Sequence, residues 1–171
     1  VQAGYRGARV VHRLDMSTSG LLVLALDADI QRALGRQFEL RQVDKRYVAV
    51  VAGRVADMER TIDLPLITDW PNRPRQIVDF VRGKPALTRL QILAYAAASD
   101  TTRVQLMPET GRSHQLRVHL QAIGHPILGD DLYAPPARLD QAPRLMLHAA
   151  FLAFSHPRSA MRLAVDSPPP F

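Results

Sequence analysis

The residues best suited to chemistry fall in three short stretches. The first is His12-Arg13-Leu14-Asp15-Met16-Ser17-Thr18-Ser19-Gly20, where a carboxylate and a guanidinium share a polar loop between two apolar segments. Loops held between strands are frequent homes for catalytic groups, because the scaffold fixes both ends. The same composition also makes an ordinary turn, since Asp, Ser, Thr and Gly all favour turns. The second stretch is Lys45-Arg46-Tyr47-Val48-Ala49-Val50. A strand period of two puts Tyr47, Ala49 and Val51 on one face, and Val48, Val50 and Ala52 on the other. Tyr47 at the start of this strand presents its ring either to a cleft or to the core. The third stretch is Thr110-Gly111-Arg112-Ser113-His114-Gln115-Leu116-Arg117-Val118-His119. Arg112 stands at the expected N-terminus of a helix, where backbone N–H groups favour phosphate. His114 and Arg117 lie about 60° apart around such a helix and share a face. An exposed basic helix end is the plainer alternative.

Several chemistries are disfavoured by what is missing. There is no cysteine, which removes disulfides, thiolate zinc sites and cysteine nucleophiles together and fits a cytoplasmic protein. His114 and His119 are separated by about 140° on a helix, unlike the i, i+4 pair that shares a metal, so no metal site is expected. Gly83-Lys84 is followed by Pro85, which breaks any phosphate-binding loop of the GK[ST] kind. Neither a G-x-S-x-G elbow nor a G-x-G-x-x-G fingerprint occurs, and no cofactor is expected. No stretch approaches the roughly 20 apolar residues of a membrane span. Residues 1–6 lack the apolar core of a signal peptide, and the chain begins without Met, as a fragment would. The net charge of +6 points to a polyanionic partner. Of the 22 basic residues only Lys45 and Lys84 are lysines. Arginine pairs with phosphates and stacks on bases, although GC-rich codon usage produces the same bias.

The 171 residues, 47% of them apolar, suffice for one domain with its own core, here taken as residues 1–171. Short strands are expected at Val10–His12, Leu21–Leu26, Lys45–Ala52, Thr61–Leu66, Gln76–Val81, Leu87–Ala97, Thr102–Met107, Leu145–Phe154 and Met161–Val165. Leu21–Leu26 reads as buried on both faces. Asp27 or Asp29 caps a helix to about Arg41, with Ile30, Leu34, Phe38 and Val43 on its apolar side. A second helix spans Ser113–Ile123, capped by Thr110 or Ser113 and stopped by Gly124. Many strands and two clear helices, without regular alternation, make an α+β fold.

Taken together, the three stretches resemble the motifs of the RluA-type pseudouridine synthases. The nucleophile motif H-R-L-D-x-x-T-S-G-L-L matches His12 to Leu22, and the tyrosine motif matches Lys45 to Val50. The third motif matches Gly111 to Leu120, followed by Gly124-His125-Pro126-Ile127-Leu128-Gly129-Asp130. The resemblance implies a mostly antiparallel mixed sheet with flanking helices and an active-site cleft across the sheet. It implies Asp15 as the carboxylate at the sugar, attacking C1′ or removing a C2′ proton. Arg117 would be its ion-pair partner, and Tyr47 would pack against the uracil in a positioning role. Arg13 would fill the space left by the flipped base, with Arg112 and His114 on the RNA backbone. The loop from Asp63 to Pro74 resembles a subgroup acting on a large-subunit rRNA loop and a tRNA anticodon stem-loop. A monomer is expected. Family members usually carry a further strand, with a Lys-Pro-Ser-Gly-like segment, before the nucleophile motif; its absence would leave a sheet edge unpaired. Without the resemblance, a non-catalytic RNA-binding module and an N-glycosidase that releases uracil both remain open.

Overall fold

The backbone follows the apolar pattern for most of its length. The computed structural model describes residue 5 and residues 7–171, so most of the N-terminal segment without a signal pattern lies outside it. In chain order the elements are β1 (Arg9–Val10), β2 (Ser19–Gly20), β3 (Leu24–Ala25), α1 (Ala28–Glu39), β4 (Asp44–Ala52), β5 (Glu59–Asp63) and β6 (Leu66–Thr68). They continue with β7 (Gln76–Val78), β8 (Leu87–Ala96), β9 (Thr101–Pro108), α2 (Gln115–Ala122), α3 (Pro136–Leu139), β10 (Leu147–Ser155) and β11 (Arg162–Asp166). The main sheet runs β11-β10-β4-β9-β8-β5 with antiparallel neighbours. The short β2 joins β10 in parallel. The α+β reading and the mixed sheet therefore stand.

The alternation in β4 decides which side of the sheet is buried. Tyr47 pairs with Leu106, and Ala49 pairs with Val104 and Leu147. Their side chains meet Leu116 and Leu120 of α2 in the largest apolar cluster. Further along the same side, Leu152 lies opposite Lys45, two residues before Tyr47. There Ile30, Leu34, Phe38 and Val43 pack on Leu152 and Phe154, as the spacing of α1 predicts. Both long helices thus cover one face. The opposite face carries the hydrogen-bonded polar row Glu59, Gln91 and Gln105 across β5, β8 and β9.

Three expected elements differ from those observed. Leu21–Leu26 is no doubly buried strand: only Leu24–Ala25 is extended in a pair, with β1, while Leu22 and Leu26 are exposed. The chain docks on β10 at Ser19–Gly20 and leaves it again, so this run has α1 on one side and solvent on the other. Thr61–Leu66 is two strands, because Leu64-Pro65 interrupts the ladder and lets β6 turn away to pair with β7. The second helix begins at Gln115, later than expected. Its cap is His114 in a left-handed conformation, and no side chain caps it. The cap of α1 is as expected, with the Ile30 N–H donating to Asp27 Oδ1 at 2.8 Å.

Candidate active site

Asp15 sits half-buried in a turn closed by the Thr18 N–H donating to its own carbonyl at 2.9 Å. Two anchors fix that turn. Behind it, β2 is laid on β10 so closely that a Cβ on Gly20 would lie 2.3 Å from the Ala149 carbonyl oxygen. Gly20 also has φ +110°, a conformation open to glycine at no steric cost. Ser19 Oγ lies 2.8 Å from Nδ1 of the buried His148 and accepts from Arg144. His148 Nε2 is 3.1 Å from the Ser167 carbonyl, which only accepts. The network therefore assigns the ring proton to Nε2 and makes the Ser19 hydroxyl the donor to Nδ1. Ahead of the turn, the Val23 N–H donates to His12 Nε2 at 3.1 Å, and the ring stacks on Phe38 at 4.4 Å. Burial, helped by the charge of Lys45, lowers the His12 pKa to about 4. His12 is neutral near pH 7, as an Nε2 acceptor must be.

Tyr47, His114 and Arg117 all feel the charge of Asp15, which brings β4, the α2 cap and α2 itself around the turn. Burial and then Asp15 push the Tyr47 hydroxyl up to about 12. Tyr47 is protonated at neutral pH, so its ring and hydroxyl are available but its phenolate is not. His114 holds φ +53° at the start of α2, with Nδ1 2.8 Å from Tyr133 Oη. That oxygen also accepts the Gln76 N–H at 2.8 Å. Burial lowers the His114 pKa, and Asp15 offsets part of the effect.

Arg117 departs from expectation. Its guanidinium is bidentate to Asp130, Nε to Oδ2 at 2.8 Å and a terminal nitrogen to Oδ1 at 2.6 Å. It also reaches Asp131 at 2.9 Å, and among the described residues its ion pairs are these two. The expected pairing with Asp15 is replaced by a charge interaction without contact distance. The cause is placement: Gly129, at φ +68°, packs against the Arg144 carbonyl, and Asp130 follows it directly beneath α2. Asp130 is fully buried and also accepts from the Leu132 and Tyr133 N–H groups, which orients it toward Arg117. Burial opposes the charge on Arg117. The bonds and charges of Asp130, with Asp15 and Asp131, outweigh it and raise the pKa.

The base of α2 is a polar network with its donors and acceptors matched. Gln115 Oε1 accepts from the Arg112 N–H and the Thr110 hydroxyl, while Nε2 donates to the Leu87 carbonyl and Thr88 Oγ1. His119, fully buried, contacts Thr88 Oγ1 and the Leu64 carbonyl at 3.0 Å each. Thr110 therefore serves a side chain of α2 rather than its backbone, which is why it is no helix cap. Arg112 is exposed and donates from Nε to the Pro85 carbonyl at 3.1 Å. Its own N–H is taken by Gln115, so it brings a side chain, and no free backbone donor, to a phosphate. Arg13 is exposed next to Asp15, and its charge is felt at His114. A cavity of about 850 Å³ extends from Ser17 in the same loop to Asp131 and Arg144.

The charge of Asp15 thus reaches Tyr47, His114 and Arg117, Arg13 is exposed beside it, and Arg112 is exposed at the head of α2, bonded to the Pro85 carbonyl. Sequence reasoning missed Asp130, Tyr133 and His148. Asp130 lay within a quoted motif, and the Gly129-Asp130 pair was the available signal; Tyr133 and His148 carried none.

The carboxylate thus lies in a loop, the tyrosine on a central strand and the arginine on a helix packed against the sheet. A family model described as RNA pseudouridylate synthase matches residues 2–122. The chain belongs to that family of isomerases, which convert uridine in RNA to pseudouridine. Among its relatives is the dual-specificity RNA pseudouridine synthase RluA of Escherichia coli K12, 51% identical over 171 residues, spanning 100% of this chain and 78% of that protein. The RluA of Pasteurella multocida is 52% identical over the same span, with the same coverage. Of solved structures, the human RNA Pseudouridylate Synthase Domain Containing 1 superposes with a TM-score of 0.85 at 37% identity, covering 96% of this chain and 70% of that one. The resemblance drawn from the motifs and from the loop at Asp63–Pro74 is borne out. Neither a non-catalytic module nor a uracil-releasing glycosidase fits.

Proposed function

We propose that this chain isomerises uridines in the loops of RNA stem-loops, in large-subunit rRNA, a tRNA anticodon arm or both, with Asp15 at the sugar. The observation that carries the reading is the convergence of Tyr47, His114 and Arg117 on the charge of Asp15. The RluA relatives are named dual-specificity enzymes, which fits a chain that acts on more than one RNA. In the reaction the C1′–N1 bond breaks, a C1′–C5 bond forms, the C5 proton leaves and N1 gains one. The atoms balance without oxidant or co-substrate. Attack on C1′ and abstraction at C2′ both use a carboxylate anion, which Asp15 would supply.

Tyr47, protonated because its pKa lies near 12, offers a ring for the uracil face and a hydroxyl donor. It positions the base and does not take the C5 proton. A base within a stem-loop reaches Asp15 only when unstacked. Arg13, exposed next to Asp15 in sequence, would stack in the vacated space, and Arg112, also exposed, and His114 would contact the RNA backbone. We further propose that the enzyme acts as a cytoplasmic monomer. Separately, among the described residues no helix is long and apolar enough to cross a membrane. The deciding experiment is tritium release from stem-loop RNA carrying 5-tritiated uridine. Asp15→Asn is expected to abolish release while RNA binding stays within severalfold. Turnover by Asp15→Asn would refute the assignment. Arg13→Ala is expected to slow the reaction, and normal binding and rate would remove its flipping role.

A further inference from the structure

The hairpin of β6 and β7 is unexplained by the site, yet it is tied to it. The Gln76 N–H, at the loop end of its ladder opposite Thr68, donates to Tyr133 Oη, the same oxygen that contacts His114. The guanidinium of Arg75 lies 5.5 Å from the Tyr133 ring centre, and that of Arg117 lies 5.1 Å from it. Beyond this anchor the tip is ordered by its own bonds. The Asp69 N–H donates to the Arg75 carbonyl at 3.0 Å, and the Asn72 N–H to the Asp69 carbonyl at 3.1 Å. Asn72 Nδ2 donates to Asp69 Oδ2 at 2.9 Å.

What the tip displays is Trp70, the single tryptophan of the chain, 65% exposed. Arg73 lies over its ring at 4.7 Å. Such a ring gains nothing from the fold by standing in water, and the bonds at the tip hold it there. Four cations surround it in sequence, Arg73, Arg75, Arg82 and Lys84. Among the described residues only Arg82 has an acidic partner, Asp79. An exposed aromatic face beside unpaired cations suits an unpaired nucleobase on a phosphate strand, which stacks without sequence preference. At about 3.3 Å per residue, the six residues from Gln76 back to Trp70 keep the ring within about 20 Å of the Gln76 anchor on Tyr133.

We propose that Trp70, backed by Arg73, is a stacking platform for an unpaired base of the RNA loop, near the uridine that enters the site. The inference rests on the reading of stem-loop RNA as substrate. Trp70 positions the RNA and touches no reacting atom, so it acts on capture rather than on the chemical step.

The single tryptophan makes the test direct. A synthetic anticodon stem-loop RNA is titrated into the Asp15→Asn protein while tryptophan emission is recorded, and binding is followed separately by gel shift. Emission should be quenched in step with binding. A blunt RNA duplex without unpaired bases should bind with little quenching. In the otherwise unaltered enzyme, Trp70→Ala should raise KM about tenfold or more with kcat within twofold, and Trp70→Phe should recover most of the loss. Binding without quenching overturns the proposal, as does equal quenching by the duplex or an unchanged KM in Trp70→Ala. If the unaltered chain neither binds nor modifies stem-loop RNA, the substrate reading fails and takes the inference with it.

Discussion

Arg117 is clamped by Asp130 through two parallel hydrogen bonds, with side-chain exposures of 4% and 0%. The guanidinium whose charge interacts with Asp15 is therefore held by a second, fully buried carboxylate. Removing one partner of such a pair leaves the other charge buried and uncompensated, at a cost of about 3–5 kcal/mol. Asp130→Ala is expected to lower unfolding stability by that amount in urea titrations. The double variant Arg117→Met, Asp130→Leu should regain most of the stability and still show no tritium release. A stable and active double variant would show that the cation plays no part in catalysis.

His12 links acidity to stability. Its folded pKa of about 4 lies below the ordinary 6.5. Between those values the unfolded chain binds more protons, so stability rises with pH across the window. The contribution is whole above pH 6.5 and is lost as pH falls toward 4. His114, His119 and His148 are shifted the same way, each chiefly by burial. Thermal melts from about pH 7.5 to about pH 4.5 should show a steep decline in the parent and a shallower one in His12→Gln. Parallel declines would exclude His12 as a contributor.

Gly20 secures the loop that carries Asp15. Alanine there would place its Cβ 2.3 Å from the Ala149 carbonyl oxygen at φ +110°. The backbone strain alone costs about 1–3 kcal/mol. Because β2 is two residues long, the loop should detach before the sheet unfolds. Gly20→Ala is expected to lose most of its kcat while the melting temperature drops by only a few degrees. An unchanged kcat would show that the docking of β2 does not set the position of Asp15.

Tyr133 joins the hairpin to the cap of α2. Tyr133→Phe removes the acceptor of the Gln76 N–H and the partner of His114 Nδ1. A donor left without a partner costs about 1–3 kcal/mol. Amide exchange at Gln76 should accelerate and KM for stem-loop RNA should rise severalfold. Unaltered exchange would mean that the hairpin is held by β6 and β7 alone.

The primary structure by itself determined the strands, the face of α1 and the three motifs, because these depend on local period and residue order. The alternation in β4 separated Tyr47, Ala49 and Val51 from Val48, Val50 and Ala52, and Ile30, Leu34, Phe38 and Val43 named the buried side of α1. Where the reading strayed, a distant partner made the difference. Leu21–Leu26 is as apolar as a central strand, but Gly20 docks on Ala149, 129 positions away, and the run ends on an edge. Thr110 looked like a helix cap until Gln115 claimed its hydroxyl. Arg117 was expected to pair with Asp15, yet the turn at Gly129 delivers Asp130 beneath the helix, and that carboxylate takes the guanidinium. Charge pairing depends on angles and distances of a few ångströms, and sequence spacing does not carry them. The tertiary structure alone decided that Asp130, and not Asp15, holds the arginine.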